Sequence, residues 1–291
     1  MKLSKWKEKG RSFPYKSHNI FFVSEGQGEV ILLIHGFPTA SWDWSHMWDG
    51  LVANYKLMTL DMIGFGFSDK PRPYNYSILD QADIIESLLA SEGVDACHIL
   101  SHDYGDTVAQ ELLARYEDRK EAEVVGLELK SVCFLNGGLF PETHHPLLIQ
   151  KILMGPLGPL VSKLLNRKKL EKNLKGIFGK ETQPSDETLD TFWELISTNE
   201  GLKISHLLIR YMRERIIHRE RWVSAMQKTA IPLRLIDGLE DPISGKHMAD
   251  RYKELIPNAD VVGLKDIGHF PNVEAPDMVL QHFLNFVKSI N

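Results

Sequence analysis

Cys97-His98-Ile99-Leu100-Ser101-His102-Asp103-Tyr104-Gly105-Asp106 is the stretch on which the reading of this 291-residue chain turns. The apolar run from Cys97 to Leu100 predicts a buried strand, and Thr107 to Arg115 predicts a helix that follows at once. Between them the chain must turn within a few residues. Small side chains at Ser101 and Gly105 permit that turn and leave Asp103 at its apex. Ser101 fits the apex poorly, because Ile99 would then stand where a small residue is needed.

The pattern small-x-nucleophile-x-small resembles the nucleophile elbow of α/β-hydrolases, with aspartate in place of serine. A serine must lose a proton before it attacks, whereas Asp103 is already ionised at neutral pH. A carboxylate is a weak nucleophile towards carbonyls, but it can displace a leaving group from saturated carbon. The product is an ester between protein and substrate. Water must then cleave that ester, which requires a general base and an oxyanion hole.

Outward from the elbow, Val30 to Ile34 reads as a strand covered on both faces and ends in His35-Gly36-Phe37-Pro38. The hydrolase pattern implies that the backbone N–H groups of Phe37 and Tyr104 form the oxyanion hole. Leu233 to Ile236 is a further strand, and Asp241 lies just beyond it as the candidate acid, with Asp237 and Glu240 as rivals. Asp260 to Leu264 is the last strand. His269 follows it, ahead of a final helix from Asp277 to Ile290. Nucleophile, acid and histidine then occur in α/β-hydrolase order.

The rest of the chain fits a mainly parallel sheet with helices on both faces. Arg11 to Ser24 predicts an antiparallel pair, with Leu57–Asp61 and Ser131–Leu135 as further strands. Trp42–Tyr55, Ser77–Glu92 and Lys246–Leu255 predict helices, and Met1–Gly10 an arm or short helix anchored by Trp6. The alternation breaks after Asn136-Gly137-Gly138 and resumes at Ile231. This predicts an α/β-hydrolase core of residues 1–138 and 227–291, with a helical cap of residues 139–226 over the strand ends.

Composition narrows the function classes. Hydrophobic residues at 43% and charged residues at 25% are ordinary globular values, and a net charge of −5 argues against nucleic acid as a partner. Cys97 and Cys133 are too few for a disulfide framework and are expected to be buried thiols. No apolar run reaches membrane-spanning length, and Met1 to Arg11 is too polar for a secretory signal, so the expected location is cytoplasmic. Met62 to Asp69 is glycine-rich but lacks the phosphate-binding fingerprints. His144-His145 and the pair His98/His102 lack a third ligand at metal spacing, so neither metal nor cofactor is expected.

The motifs around Phe37, Asp103, Asp241 and His269 together resemble the epoxide hydrolase and haloalkane dehalogenase branch of α/β-hydrolases. That resemblance implies a cofactor-independent hydrolase acting with water on small lipophilic substrates. Dehalogenases of the branch hold the halide with a Trp after the nucleophile and often an Asn after the His-Gly pair. Here those positions are Tyr104 and Phe37, which disfavours dehalogenation. Epoxide hydrolases use two cap tyrosines on the epoxide oxygen, and Tyr211 is the one tyrosine of this cap. It is either that donor or a packing residue. His35 and Trp44 complete the candidate substrate contacts.

A second departure is Asp106, where the branch has glycine. If unpaired, it would raise the Asp103 pKa by like-charge repulsion. The epoxide reading leads, and a dehalogenase or a non-catalytic binding protein on the same fold is the alternative. Lys163, Arg167, Lys168, Lys169, Lys172 and Lys175, set among leucines, read first as a solvated helix face. The alternative is a peripheral membrane contact that delivers lipophilic substrates. Oligomeric state is left open.

Overall fold

The computed structural model describes residues 1–290. Eight strands form one sheet: β1 Arg11–Tyr15, β2 His18–Glu25, β3 Val30–Ile34, β4 Lys56–Leu60, β5 Ala96–His102, β6 Glu128–Leu135, β7 Leu233–Gly238 and β8 Asp260–Leu264. Their order is β1-β2-β4-β3-β5-β6-β7-β8. β2 runs antiparallel to β1 and β4, and every pairing from β4 to β8 is parallel. Ile31 to Ile34 in β3 and Cys97 to His102 in β5 are buried without a break, because these central strands are covered on both faces.

Helices cover the sheet: α1 Leu3–Lys9, α2 Trp48–Val52, α3 Ile78–Ser91 and α4 Tyr104–Glu121 come before or among the first six strands. α3 begins where Ser77 accepts the Asp80 N–H, a side-chain cap on an otherwise unpaired donor. Trp6 of α1 is fully buried, donating to Ser41 Oγ at 3.1 Å and meeting Trp48 edge-on. The helix expected over Trp42–Tyr55 is instead a 3-10 turn, Ser41–His46, followed by the short α2. Ala40 to Ser45 are all buried, leaving no polar face for a regular amphipathic helix.

Between β6 and β7 the regular elements are all helical, joined by loops and one 3-10 turn, Thr198–Lys203: α5 Leu148–Met154, α6 Gly158–Lys163, α7 Arg167–Lys175, α8 Asp186–Ser197, α9 Ser205–Leu208, α10 Tyr211–Ile217 and α11 Arg219–Lys228. α11 packs on α4, where Glu111 accepts from Arg221 Nε at 3.0 Å and from Trp222 Nε1 at 2.8 Å. α12 Lys246–Leu255, α13 Pro271–Glu274 and α14 Pro276–Ile290 close the chain. Among the described residues, no helix is long and apolar enough to cross a membrane.

The register places the site. Ile34 pairs with Ser101, so β3 and β5 end side by side, one leading to Phe37 and the other to Asp103. β3 is followed by its neighbour β4 on one side, and β5 lies on its other side. The crevice between β3 and β5 is therefore the point where strand order reverses, which is where open α/β sheets bind ligands.

Candidate active site

Asp103 sits at φ 47° and ψ −102°, a strained conformation for a residue with a Cβ. Two glycines make the bend fit. A Cβ on Gly105 would lie 2.3 Å from the Ile34 carbonyl oxygen, and one on Gly36 would lie 2.6 Å from His102 Nδ1. The Asp103 N–H is held by the Leu135 carbonyl at 3.1 Å.

The carboxylate of Asp103 is buried and divided between two donors. Phe37 N–H donates to Oδ2 at 3.0 Å. On the other oxygen, Arg215 Nη2 lies 3.5 Å from Oδ1 and donates to the Asp103 carbonyl at 3.1 Å. Tyr104 opens α4, where first-turn N–H groups lack helical acceptors and the helix dipole favours an anion. Burial alone would push the Asp103 pKa up. His269, Arg215 and the Phe37 N–H outweigh it and hold the carboxyl below its usual value.

His269 Nδ1 lies 2.7 Å from Asp241 Oδ2. Asp241 is itself fixed on all sides: Ile243 N–H donates to Oδ1 at 2.8 Å, and Ser244 Oγ at 2.8 Å and Asn136 Nδ2 at 3.2 Å donate to Oδ2. Of its rivals, Asp237 is buried with both carboxyl oxygens unpartnered, so burial drives its pKa well up, and Glu240 is exposed. Only Asp241 meets the imidazole. Burial pushes the His269 pKa down, but Asp241, Asp103 and Glu274 raise it to about 9.

His102 supports this loop. A carbonyl can only accept, so His102 Nε2–H donates to the His269 carbonyl at 2.7 Å. Burial holds the His102 pKa down near 4, and the ring is neutral. His98 is elsewhere, with Nδ1 2.8 Å from Ser131 Oγ.

Asp103, His269 and Phe37 line a cavity of about 100 Å³. Pro38 and Ile243 add to the wall, and the rest comes from the segment between β6 and β7, with Leu153, Leu165, Leu170, Leu174, Trp193 and Leu202 among its residues. The lining is mostly apolar, which suits a lipophilic ligand presented to one charged group.

The sequence-stated contacts divide. Tyr211 comes to the elbow: its ring packs on Tyr104 (centroids 4.6 Å apart), Arg215 lies over its face at 4.5 Å, and its hydroxyl interacts with the Asp103 carboxylate. None of the three, Tyr211, His35 or Trp44, lines the cavity itself. His35 Nε2 accepts the Met62 N–H at 3.1 Å, leaving Nδ1–H for the Gly36 carbonyl at 2.8 Å, so the ring is spent on holding the loop. Trp44 is fully buried in the core, its indole N–H unpartnered. The expected repulsion at Asp106 falls on Asp106 itself. Burial, with Asp103 beside it, drives the Asp106 pKa well up, and Asp103 stays the ionised member.

Sequence reasoning missed Arg215, Asn136 and Ser244. Arg215 lies in the charged run Arg213-Glu214-Arg215, which reads as a solvated helix, yet it is only 2% exposed and donates to Thr107 Oγ1 at 2.7 Å. Its i,i+4 spacing from Tyr211 was the available signal. Asn136 stands at φ 42° directly after β6, a conformation that asparagine tolerates better than most residues. There it bridges Gly238 and Asp241.

A family model described as alpha/beta hydrolase fold matches residues 29–276. The mesoderm-specific transcript homolog protein of Bos taurus is 41% identical over 99% of this chain and 88% of its own length. Among solved structures, the haloalkane dehalogenase DatA from Agrobacterium tumefaciens C58 superposes with a TM-score of 0.81 at 20% identity, over 97% of each chain. The epoxide hydrolase CorEH does so with a TM-score of 0.79 at 17% identity, over 97% of this chain and 99% of its own. At such identities these two structures establish the fold alone.

Proposed function

The chain belongs to the α/β-hydrolase family, and from that premise we propose that it is a cofactor-independent hydrolase working through an alkyl-enzyme ester at Asp103, with lipophilic epoxides as substrates. The observation that carries this reading is the split of the Asp103 carboxylate. One oxygen is held by the Phe37 N–H, the other faces Arg215, and the Tyr211 hydroxyl meets the same carboxylate, which itself lines the cavity.

Asp103 Oδ1 attacks a ring carbon, and the carbon–oxygen bond of the ring breaks. The freed oxygen, more basic than a phenolate, takes the Tyr211 proton while Arg215 stabilises the developing charge. Water then attacks Cγ of the ester and gives a proton to His269, which Asp241 holds and orients. The tetrahedral oxyanion on Oδ2 rests on the N–H groups of Phe37 and Tyr104. Collapse breaks the Cγ–Oδ1 bond, His269 gives that proton to the leaving alkoxide, and the second proton of the water, carried on the regenerated Asp103 carboxyl, passes to the Tyr211 phenolate.

Electrostatics order these steps. Asp103 is one of the charges that raise the His269 pKa to about 9, so the resting imidazole is protonated at neutral pH. Esterification removes that negative charge, the His269 pKa falls, the ring releases its proton to solvent, and it becomes a base only once there is an ester to hydrolyse; the regenerated Asp103 carboxylate restores the resting protonated ring. The helices between β6 and β7 are read as a cap that keeps bulk water from the cavity.

The test is a single turnover in H₂¹⁸O with a panel of epoxides and haloalkanes. The expected product is a diol whose new oxygen comes from Asp103, with ¹⁸O left in the Asp103 peptide. ¹⁸O in the first-turnover diol would instead mean direct attack by water, and halide release without diol formation would favour the dehalogenase reading.

A further inference from the structure

α5, α6 and α7 present apolar side chains in two opposite directions. Inward, Leu153, Leu165, Leu170 and Leu174 line the cavity above Asp103. Outward, Leu148 (73%), Leu157 (60%), Leu160 (59%) and Leu164 (55%) stand in water. Isolated exposed leucines are ordinary, but four within seventeen residues form a patch of the kind that marks an interaction surface.

Charge says what the partner is. Residues 147–175 carry seven cations and one acid, Glu171, in a chain whose net charge is −5. Arg167 and Lys175 are tied to Glu171, and Arg167 also to Asp186 and Asp190. Lys151, Lys163, Lys168 and Lys172 are exposed and have no ion pair among the described residues. Leucines flanked by unpaired lysines on short amphipathic helices match the interface of a bilayer, with apolar side chains among the acyl chains and ammonium groups at lipid phosphates.

We propose that α5, α6 and the start of α7 dock on a membrane surface containing anionic phospholipid. Docked this way, these helices separate the lipid from the cavity, so a lipophilic molecule passes from bilayer to Asp103 across a single layer of helix. Of the two readings the basic run allows, the exposed leucines favour this one. The docking itself does not depend on the catalytic reading.

The test is co-sedimentation of the full chain with phosphatidylcholine vesicles, with and without phosphatidylglycerol, at low and high salt. Partition is expected on the anionic vesicles alone and should fall as salt shortens the screening length from about 10 Å at 0.1 M to about 3 Å at 1 M. Leu160→Ser/Leu164→Ser and Lys163→Glu/Lys168→Glu should each lower partition about tenfold with unchanged thermal unfolding, since all four side chains are exposed. Asp103→Asn should partition like the native chain, which separates failure of docking from failure of the proposed chemistry. No partition on anionic vesicles, or partition indifferent to both double variants, would overturn the proposal. So would a native dimer that the leucine variant converts to monomer, which would make the patch a contact between two copies.

Discussion

Arg215 Nη2 lies 3.5 Å from Asp103 Oδ1, on the carboxylate oxygen that Phe37 leaves free. This buried pairing gives the nucleophile a fixed direction and supplies the one permanent positive charge next to the reacting bond. Arg215→Met removes both effects. The rate of ester formation should fall on the order of 10²-fold or more, and stability by about 1–3 kcal/mol, since Thr107 also loses its donor. Arg215→Lys, which keeps the charge but not the planar fork, should recover part of the rate. Stopped-flow measurement of the first turnover, with urea midpoints for each variant, checks both. Native ester formation in the methionine variant would remove Arg215 from the chemistry.

Tyr211→Phe separates the two readings that the sequence left open. If the hydroxyl serves the opened oxygen, ester formation should slow about 10²-fold while the melting temperature stays the same or rises. The ring contacts with Tyr104 and Arg215 survive the change. An unchanged rate would make Tyr211 a packing residue only.

Asp241→Asn should act on the second half of the reaction. The imidazole loses the charge that orients it and stabilises its protonated form, so ester hydrolysis should slow by about 10³–10⁴-fold while ester formation is less affected. The new amide would also face the donors from Ile243, Ser244 and Asn136, costing about 1–3 kcal/mol. Quenched-flow separation of the two steps reads the difference. Equal slowing of both would contradict the assigned role.

The raised His269 pKa ties stability to pH. The folded state binds a proton up to about pH 9, while an unfolded histidine releases it near 6.5. The stabilisation is therefore complete below about pH 6.5 and is lost as pH rises through 9, by an amount on the order of 3 kcal/mol. Asp103 and Asp241, both lowered, contribute in the opposite sense, losing their stabilisation as pH falls below the normal carboxylate range. Urea midpoints across this range should fall on the alkaline side for the native chain and stay flatter for His269→Gln. A midpoint that rises between pH 6.5 and 9 would contradict the assignment.

Legibility in the sequence followed burial and chain order. α12 and β8 fall on the residues the pattern gave, Lys246–Leu255 and Asp260–Leu264, since the signal for each lies within the segment: an amphipathic period in α12 and a short β-branched run in β8. β5 runs on through Ser101 and His102, which are polar but buried between β3 and β6, so an apolar run marks its end too early. Asp103, Asp241 and His269 could be found because each follows a strand end in a fixed order, and the fold brings them together. Arg215 could not. Its burial arises only when α10 is laid against the start of α4, a tertiary contact with no local signature. His35 and Trp44 failed the other way, close to the motif in sequence but committed to the core in space.

The most direct measurement is the intact mass of His269→Gln after incubation with epoxides that the native chain turns over. With the water-activating imidazole gone, the account expects an adduct equal to the full mass of the epoxide, mapped to the Asp103 peptide and absent in Asp103→Asn. An adduct on another residue, or none with any epoxide that the native chain hydrolyses, would contradict it.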